Sequence, residues 1–299
     1  MIYIDCFKLP SNEEINEHFA RNSFSVYPWT IFFQNGFEWV EYKDITIFYG
    51  DNGSGKSTLL NLIAEKIDAK RETELFKEVF YDGGSDYHPF DEFVKSIKIR
   101  MAIDDIGIEK EMPDVRRLVT SDDIFSKIEK RAKHNKRAEI EIEKAREKHD
   151  QILYKSDFKY RSLKDYDNLV AYLEAKKLSK SKYAEVHAPK KEQMLSNGQT
   201  ALSIYSRMFE TGGIYLLDEP ENCLSSISQI ELVKVLYESA KYYNCQFIIC
   251  THSPFILSIK DACIYNLDLQ SVREQKWTEL DNVKVYYEFF MVKKDEFDK

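Results

Sequence analysis

Short apolar runs alternate with longer amphipathic segments over much of the chain, and this pattern predicts an α/β fold. Ile45–Tyr49, Ile214–Leu217 and Cys245–Cys250 are mostly apolar runs of strand length, rich in β-branched and aromatic residues. Between the last two, Ser228–Tyr243 has the spacing of an amphipathic helix. Strands that alternate with helices favour a mostly parallel sheet, in which ligands bind beyond the carboxyl ends of the strands.

The chain before the first of these strands is rich in aromatic residues and predicts short β elements. Met1–Lys8 has the pattern of a strand, and Glu13–Phe19 that of a brief helix. Trp29–Phe33 and Phe37–Tyr42 flank an Asn35–Gly36 turn, which predicts a β-hairpin. We therefore expect an N-terminal antiparallel β portion beside the parallel sheet.

A highly charged segment occupies the middle of the chain. Thr120–Asp123 provides an N-cap for a long helix over about Ile124–Tyr154, and Tyr166–Lys177 predicts a second helix. The segment is either one solvated helix or a helical hairpin. We predict a helical insertion over about residues 120–190 within a single domain of residues 1–299. Its charges fit a solvated face better than a contact with nucleic acid or a partner protein.

Two further segments have the alternating pattern of strands. Val94–Ile103 alternates apolar and polar residues. Val283–Val292 is strongly aromatic, and we predict a last strand there rather than an exposed surface for an effector protein.

Composition narrows the class of protein. Of 299 residues, 43% are hydrophobic and 31% are charged, which indicates a globular chain with a sizeable core. No apolar run approaches the ~20 residues that span a bilayer, and no signal peptide is evident, so we expect a cytoplasmic protein without a membrane partner. The five cysteines include no C-x-x-C pair, which favours buried thiols over disulfides or a zinc site. The net charge of −8 argues against a surface coated for bulk nucleic-acid binding.

The segment that follows the first apolar strand carries the strongest chemical signal. Gly50–Thr58 reads Gly-Asp-Asn-Gly-Ser-Gly-Lys-Ser-Thr and fits the phosphate-binding P-loop pattern. Its glycines let the backbone approach an anion, and the next helix presents its positive end. Lys56 is expected to reach the β- and γ-phosphates of ATP, and Ser57 to bind Mg²⁺. The predicted nucleotide-binding residues here are Gly50, Asp51, Asn52, Gly53, Ser54, Gly55, Lys56, Ser57 and Thr58.

A nucleotide bound to this loop also needs a surface for its adenine ring. Tyr27, Trp29 and Phe32 are candidates for stacking on adenine, although core packing is the favoured interpretation of each. Nothing in the pattern selects one of the three.

An acidic pair ends the second apolar strand. Asp218 is placed to hold Mg²⁺, directly or through water, and Glu219 to polarise the attacking water as a general base. An acidic pair at a strand end is ordinary alone. Together with a P-loop it predicts an ATPase.

Two more motifs extend this prediction. Leu195–Gln199 reads Leu-Ser-Asn-Gly-Gln and precedes a predicted helix, so Ser196, Asn197, Gly198 and Gln199 form a second candidate anion-binding surface. This surface suits a γ-phosphate held by a second copy of the chain. His252 follows the third apolar strand and is placed to contact the γ-phosphate.

The order of these four motifs resembles the ATP-binding cassette superfamily. It is similar to the soluble, non-transporter "AAA family" ATPases related to the RecF, SMC and OLD-type heads. The resemblance implies that two heads enclose two ATP molecules, each held by one P-loop and the partner's signature motif. It also implies that Lys56, Ser57 and Asp218 bind phosphate and Mg²⁺, that Glu219 is the catalytic base and that His252 is the switch histidine.

The chain departs from the family pattern at three points. The glutamine that usually completes the metal site is missing, because no Gln occurs between Lys56 and Gln151, and Tyr87–Pro89 is one candidate substitute. The aspartate usual after the acidic strand of transporters is replaced within Asn222–Ser225. Asn197 replaces a glycine of the signature motif, which is a mild change.

The leading prediction is an ABC-type ATPase that dimerises around Mg·ATP and acts on nucleic acid or an effector protein, for example in DNA maintenance or phage defence. Two alternatives stay open. One is a nucleotide-gated binding module that signals by ATP occupancy, against which the intact Glu219 argues. The other is the energy subunit of a membrane transporter, against which the departures argue.

Overall fold

The computed structural model of the chain divides into two compact units. One unit comprises Met1–Phe125 and Asn197–Lys299, and the other comprises Ser126–Ser196. The described residues are 1–21, 27–32, 39–75, 77, 79–82, 85–155, 166–192, 196–269 and 271–298. The predicted Asn35–Gly36 turn and Leu195 lie outside them.

The elements follow in chain order. The strands are β1 (Ile4–Lys8), β2 (Trp39–Glu41), β3 (Ile45–Tyr49), β4 (Phe80–Asp82), β5 (Ser85–Tyr87), β6 (Lys98–Met101), β7 (Arg116–Thr120), β8 (Ile214–Asp218), β9 (Gln246–Cys250) and β10 (Cys263–Asn266). The α-helices are α1 (Asn12–Arg21), α2 (Lys56–Lys66), α3 (Pro89–Ser96), α4 (Ser121–Asp150), α5 (Tyr166–Lys177), α6 (Lys180–His187), α7 (Asn197–Met208), α8 (Ser226–Tyr242), α9 (Pro254–Leu257), α10 (Asp281–Val292) and α11 (Lys294–Phe297).

A five-stranded parallel sheet in the order β10-β3-β9-β8-β7 is the centre of the larger unit. Every residue of β3 and β9 is buried, which explains why these strands are mostly apolar on both faces rather than alternating. α2 packs against β7, β8 and β9. The predicted α/β class with a parallel sheet is confirmed.

A three-stranded antiparallel sheet, β2-β1-β6, is the predicted N-terminal β portion. The predicted hairpin is wrong in its first strand, because Trp29–Phe32 forms turns and β2 pairs with β1 instead. The predicted strand Val94–Ile103 is also wrong in its first half, which belongs to α3. Pro89 at the first helical turn, followed by Asp91 and Glu92, favours a helix there.

The predicted C-terminal strand is wrong, because Asp281–Val292 forms helix α10. A helix satisfies its own backbone hydrogen bonds, whereas a strand needs a neighbouring strand. Only Val283 of α10 is buried. Its exposed large apolar side chains are Val285, Tyr286, Tyr287, Phe289, Phe290, Met291 and Val292.

The smaller unit is helical. Its elements are α4 from Ser126 onward, a π-helical turn over Gln151–Lys155, α5 and α6. His149 near the end of α4 is buried, and its Nε2 lies 3.0 Å from the carbonyl oxygen of Ala175 and 3.1 Å from that of Leu178. Of the two predicted arrangements, the helical hairpin is therefore the one observed.

Two other predictions concern the whole chain. All five cysteines are free thiols and only Cys223 is not buried, as their pattern indicates. Within the described residues, no helix combines the length and the apolar character that crossing a bilayer requires.

Candidate nucleotide site

The P-loop motif joins the end of β3 to the start of α2. Gly53 and Gly55 have φ values of 89° and 91°, in the left-handed region that side chains disfavour. α2 then begins at Lys56, so its first N–H groups border the loop. The predicted strand, loop and helix are therefore present in the predicted order.

Lys56 and Asp268 hold the start of this loop. The Lys56 ammonium donates hydrogen bonds to the carbonyl oxygens of Gly50 at 2.6 Å and Asp51 at 2.9 Å, and the side chain is buried. The N–H of Asp51 lies 2.9 and 3.0 Å from the two carboxylate oxygens of Asp268. Asp268 follows β10 and was not predicted, because no motif marks a residue so distant in sequence.

Gly55 is a loop position where an added side chain meets both backbone strain and a close neighbour. A Cβ at Gly55 would lie 2.7 Å from Cγ2 of Ile31, whereas Gly107, with φ of 85°, has nothing within 4 Å of such an atom. Both Gly55→Ala and Gly107→Ala incur left-handed strain of ~1–2 kcal/mol, and Gly55→Ala adds an overpacking cost of roughly 1–3 kcal/mol. Denaturant unfolding measures the loss of stability in each variant. ATP titration measures the weaker nucleotide binding that we expect in Gly55→Ala, because Gly55 lies in the phosphate loop. Equal destabilisation by the two variants, with unchanged ATP affinity in Gly55→Ala, would contradict this expectation.

The acidic strand end lies beside the P-loop helix. The side chain of Ser57 acts on the carboxyl group of Asp218, the last residue of β8, and lowers its pKa. Burial is the main cause that raises the pKa of Asp218 to about 6, and the carboxylates of Glu219 and Glu221 add to it. Lys56 and Ser57 act in the opposite direction.

These residues fit a magnesium ion. Oδ1 of Asp218 is buried and has no hydrogen-bond partner among the described residues. This oxygen is therefore available to bind a metal ion near Ser57. The described chain contains no cluster of three or more His, Cys, Asp or Glu side chains able to hold a metal. Mg²⁺ needs no such cluster, because it is usually held by one or two carboxylates, substrate phosphates and water.

Glu219 occupies a strained turn immediately after β8. Its φ is 47°, and its N–H donates to the carbonyl oxygen of Cys250 at 2.9 Å. The side-chain amide of Asn222 donates to Oε2 of Glu219 at 2.8 Å. Asn222 therefore orients the predicted base, a role that sequence reasoning missed although Asn222 is only three residues away.

The loop after β9 brings His252 to the same edge of the sheet. Nδ1 of His252 lies 3.8 Å from Oε1 of Glu219 and 3.5 Å from Oε1 of Glu221. β9 lies between β3 and β8, so the P-loop, His252 and the acidic pair follow three neighbouring strands.

The signature motif falls at the boundary of the two units. Asn197, Gly198 and Gln199 form the first turn of α7 in the larger unit, whereas Ser196 belongs to the smaller one. A Cβ on Gly198 would lie 3.0 Å from Oγ of Ser228, so this helix start packs closely against α8. The predicted phosphate contacts of these residues stay a prediction.

The other predicted candidates separate clearly. Trp29 and Phe32 are 4% and 5% exposed, so they are core residues, whereas Tyr27 is 37% exposed and its hydroxyl donates to Oγ1 of Thr58 at 3.3 Å. The hydroxyl of Tyr87, in the suggested substitute for the missing glutamine, bonds instead with His18. Asp218 pairs with Thr120 at the end of β7 and with Cys250 at the end of β9.

Comparison with known proteins identifies the class of this fold. Residues 39–222 match the model of the ABC transporter family, and because this is more than half of the chain, the chain belongs to that family. It carries an ABC-type ATPase domain, as the four motifs indicate.

A curated relative is the zinc transport system ATP-binding protein AdcC of Streptococcus pneumoniae (strain ATCC BAA-255 / R6). It is 27% identical over 92 residues, which cover 30% of this chain and 38% of the relative. The match thus spans well under half of that relative's length.

Similar solved structures include SMC heads. The SMC head domain from Thermotoga maritima has a TM-score of 0.40 and 14% identity, with 89% of this chain and 94% of that chain covered. The Smc head domain from Pyrococcus furiosus, bound to the C-terminal domain of ScpA, has a TM-score of 0.39 and 14% identity, with 97% and 100% covered.

Proposed function

We propose that this protein binds and hydrolyses Mg·ATP and dimerises around it. The observation that carries the proposal is the convergence of Lys56, Asp218, Glu219 and His252 at the carboxyl ends of three neighbouring strands. The phosphates, the metal and the attacking water would all be bound at this edge of the sheet, where open α/β sheets bind their ligands.

Each residue has a role in this proposal. Lys56 and the N–H groups at the start of α2 bind the phosphates, and Ser57 with Asp218 holds Mg²⁺. The metal would neutralise charge on the phosphate oxygens. Glu219 takes a proton from the attacking water, and His252 contacts the γ-phosphate. Tyr27, exposed next to the P-loop residue Thr58, is the proposed adenine contact.

The dimer is proposed from the signature motif. Ser196, Asn197, Gly198 and Gln199 of one copy would reach the γ-phosphate held by the other. The smaller helical unit is then an insertion within one ATPase domain.

For the further partner, we favour an effector protein over nucleic acid, because α10 exposes large apolar side chains and such surfaces mark protein contacts.

Light scattering of the Glu219→Gln variant with and without Mg·ATP tests the proposal. We expect a monomer without nucleotide and a dimer with it, because a bound ATP that is not hydrolysed keeps the two copies engaged. Ser196→Arg in the same background should abolish the dimer, whereas Ser206→Arg, an exposed position on α7, should not. A mass unaffected by ATP would refute ATP-driven dimerisation.

A further inference from the structure

The peptide groups that flank His252 are hydrogen-bonded by side chains from two other parts of the fold. The N–H of His252 donates to Oε1 of Glu221 at 3.0 Å. The carbonyl oxygen of His252 accepts a hydrogen bond from the side-chain amide of Asn282 at 3.2 Å. The backbone at His252 is therefore restrained on both sides, although its imidazole is half-exposed.

Glu221 attaches the His252 loop to the turn after β8. Its Oε1 also accepts from the hydroxyl of Thr251 at 2.6 Å and from the N–H of Ser253 at 3.2 Å. The carboxylate is only 5% exposed, and its Oε2 is buried with no partner among the described residues. Burying a carboxylate costs free energy, and the charge-assisted hydrogen bonds that Glu221 accepts from the His252 loop offset that cost.

Asn282 attaches the other side of His252 to the P-loop strand. It lies in the first turn of α10, and its own N–H lies 3.3 Å from the hydroxyl of Tyr49. Tyr49 is the last residue of β3, immediately before the P-loop. The position of the His252 carbonyl is therefore tied to the strand that leads into the phosphate site.

We propose that Glu221 and Asn282 are positioning residues that set the place of His252 relative to the γ-phosphate. This inference rests on the proposed function. Neither side chain is hydrogen-bonded to the P-loop, so both should act on turnover rather than on ATP affinity. Asn282 acts through His252 alone, so its effect should disappear when the His252 side chain is absent. The Glu221 carboxylate also acts electrostatically on Asp218, so its effect should shrink in that background without vanishing.

A double-mutant cycle tests this dependence. Glu221→Gln keeps an acceptor oxygen but loses the charge, and Asn282→Ala removes one donor. A misplacement of ~1 Å can cost on the order of 10²-fold in rate, so we expect each variant to lower kcat by roughly threefold to thirtyfold with KM for ATP unchanged. In the His252→Ala background, Asn282→Ala should alter kcat by less than about twofold, and Glu221→Gln should alter it by clearly less than in the native protein. Asp281→Asn, at the neighbouring exposed position on α10, should match the native protein in both backgrounds.

Two turnover results would overturn the inference. One is native kcat in both variants, and the other is full additivity with His252→Ala, which would indicate a general structural effect. Hydrogen exchange at the amides of His252 and Ser253 provides a readout without turnover. We expect faster exchange in Glu221→Gln at both amides and in Asn282→Ala at Ser253, whose N–H shares a peptide group with the His252 carbonyl, but not in Asp281→Asn. If the native protein hydrolyses no ATP, the proposed function fails, and unchanged exchange in both variants would separately refute the restraint.

Discussion

Replacing Glu219 with Gln is expected to lower kcat for ATP hydrolysis by roughly 10²–10⁴-fold, the usual contribution of a general base. Gln has nearly the same shape as Glu, and its carbonyl oxygen still accepts the hydrogen bond from Asn222. The turn after β8 should therefore be retained, and the affinity for Mg·ATP should stay within about threefold of native. Single-turnover phosphate release and equilibrium nucleotide binding measure the two effects separately.

Glu231→Gln is the matched control for this prediction. Glu231 lies on α8 and is exposed, so the same chemical change there should leave kcat at its native value. Native turnover in Glu219→Gln would exclude Glu219 as the base. If the native protein bound ATP but did not hydrolyse it, signalling by ATP occupancy would become the better interpretation.

Asp218→Asn is expected to stabilise the nucleotide-free protein while abolishing magnesium-dependent turnover. The pKa of Asp218 is raised from 3.8 to about 6, mainly because the carboxyl group is buried. The folded state therefore holds a proton that the unfolded state has lost, and native stability falls as pH rises from about 4 through about 6. Asn carries no charge at any of these pH values and avoids this loss, on the order of 3 kcal/mol at pH 7.

Thermal unfolding of both proteins at about pH 5 and about pH 7.5 checks the sign of this effect. The midpoint of Asp218→Asn should exceed the native midpoint by a few degrees at the higher pH, and by less at the lower pH. In the same samples, the variant should show no activation of ATP hydrolysis by Mg²⁺. A variant less stable than native at the higher pH, or one still activated by Mg²⁺, would contradict the assignment of Asp218.

The chemistry-bearing motifs could be predicted from sequence because each is short and contiguous. The P-loop, from Gly50 to Thr58, needs only a strand before it and a helix after it, and both are encoded by adjacent residues. Asp218 and Glu219 are marked in the same way by the apolar strand that they end. Local pattern was weaker where apolar residues are dense, as in Val283–Val292, since periods of helix and strand cannot be told apart there.

The linear sequence was sufficient for the α/β class, for the order of the motifs and for the chemical type of each candidate residue, because these depend on neighbours along the chain. It was insufficient for the relations between distant segments. The hydrogen bonds from Asn282 to His252 and from Asp51 to Asp268 join residues 30 and 217 positions apart. The raised pKa of Asp218 likewise depends on burial, which packing of the complete sheet and α2 creates. Such contacts exist only once the chain has folded, because no local pattern records which distant side chain will be nearby.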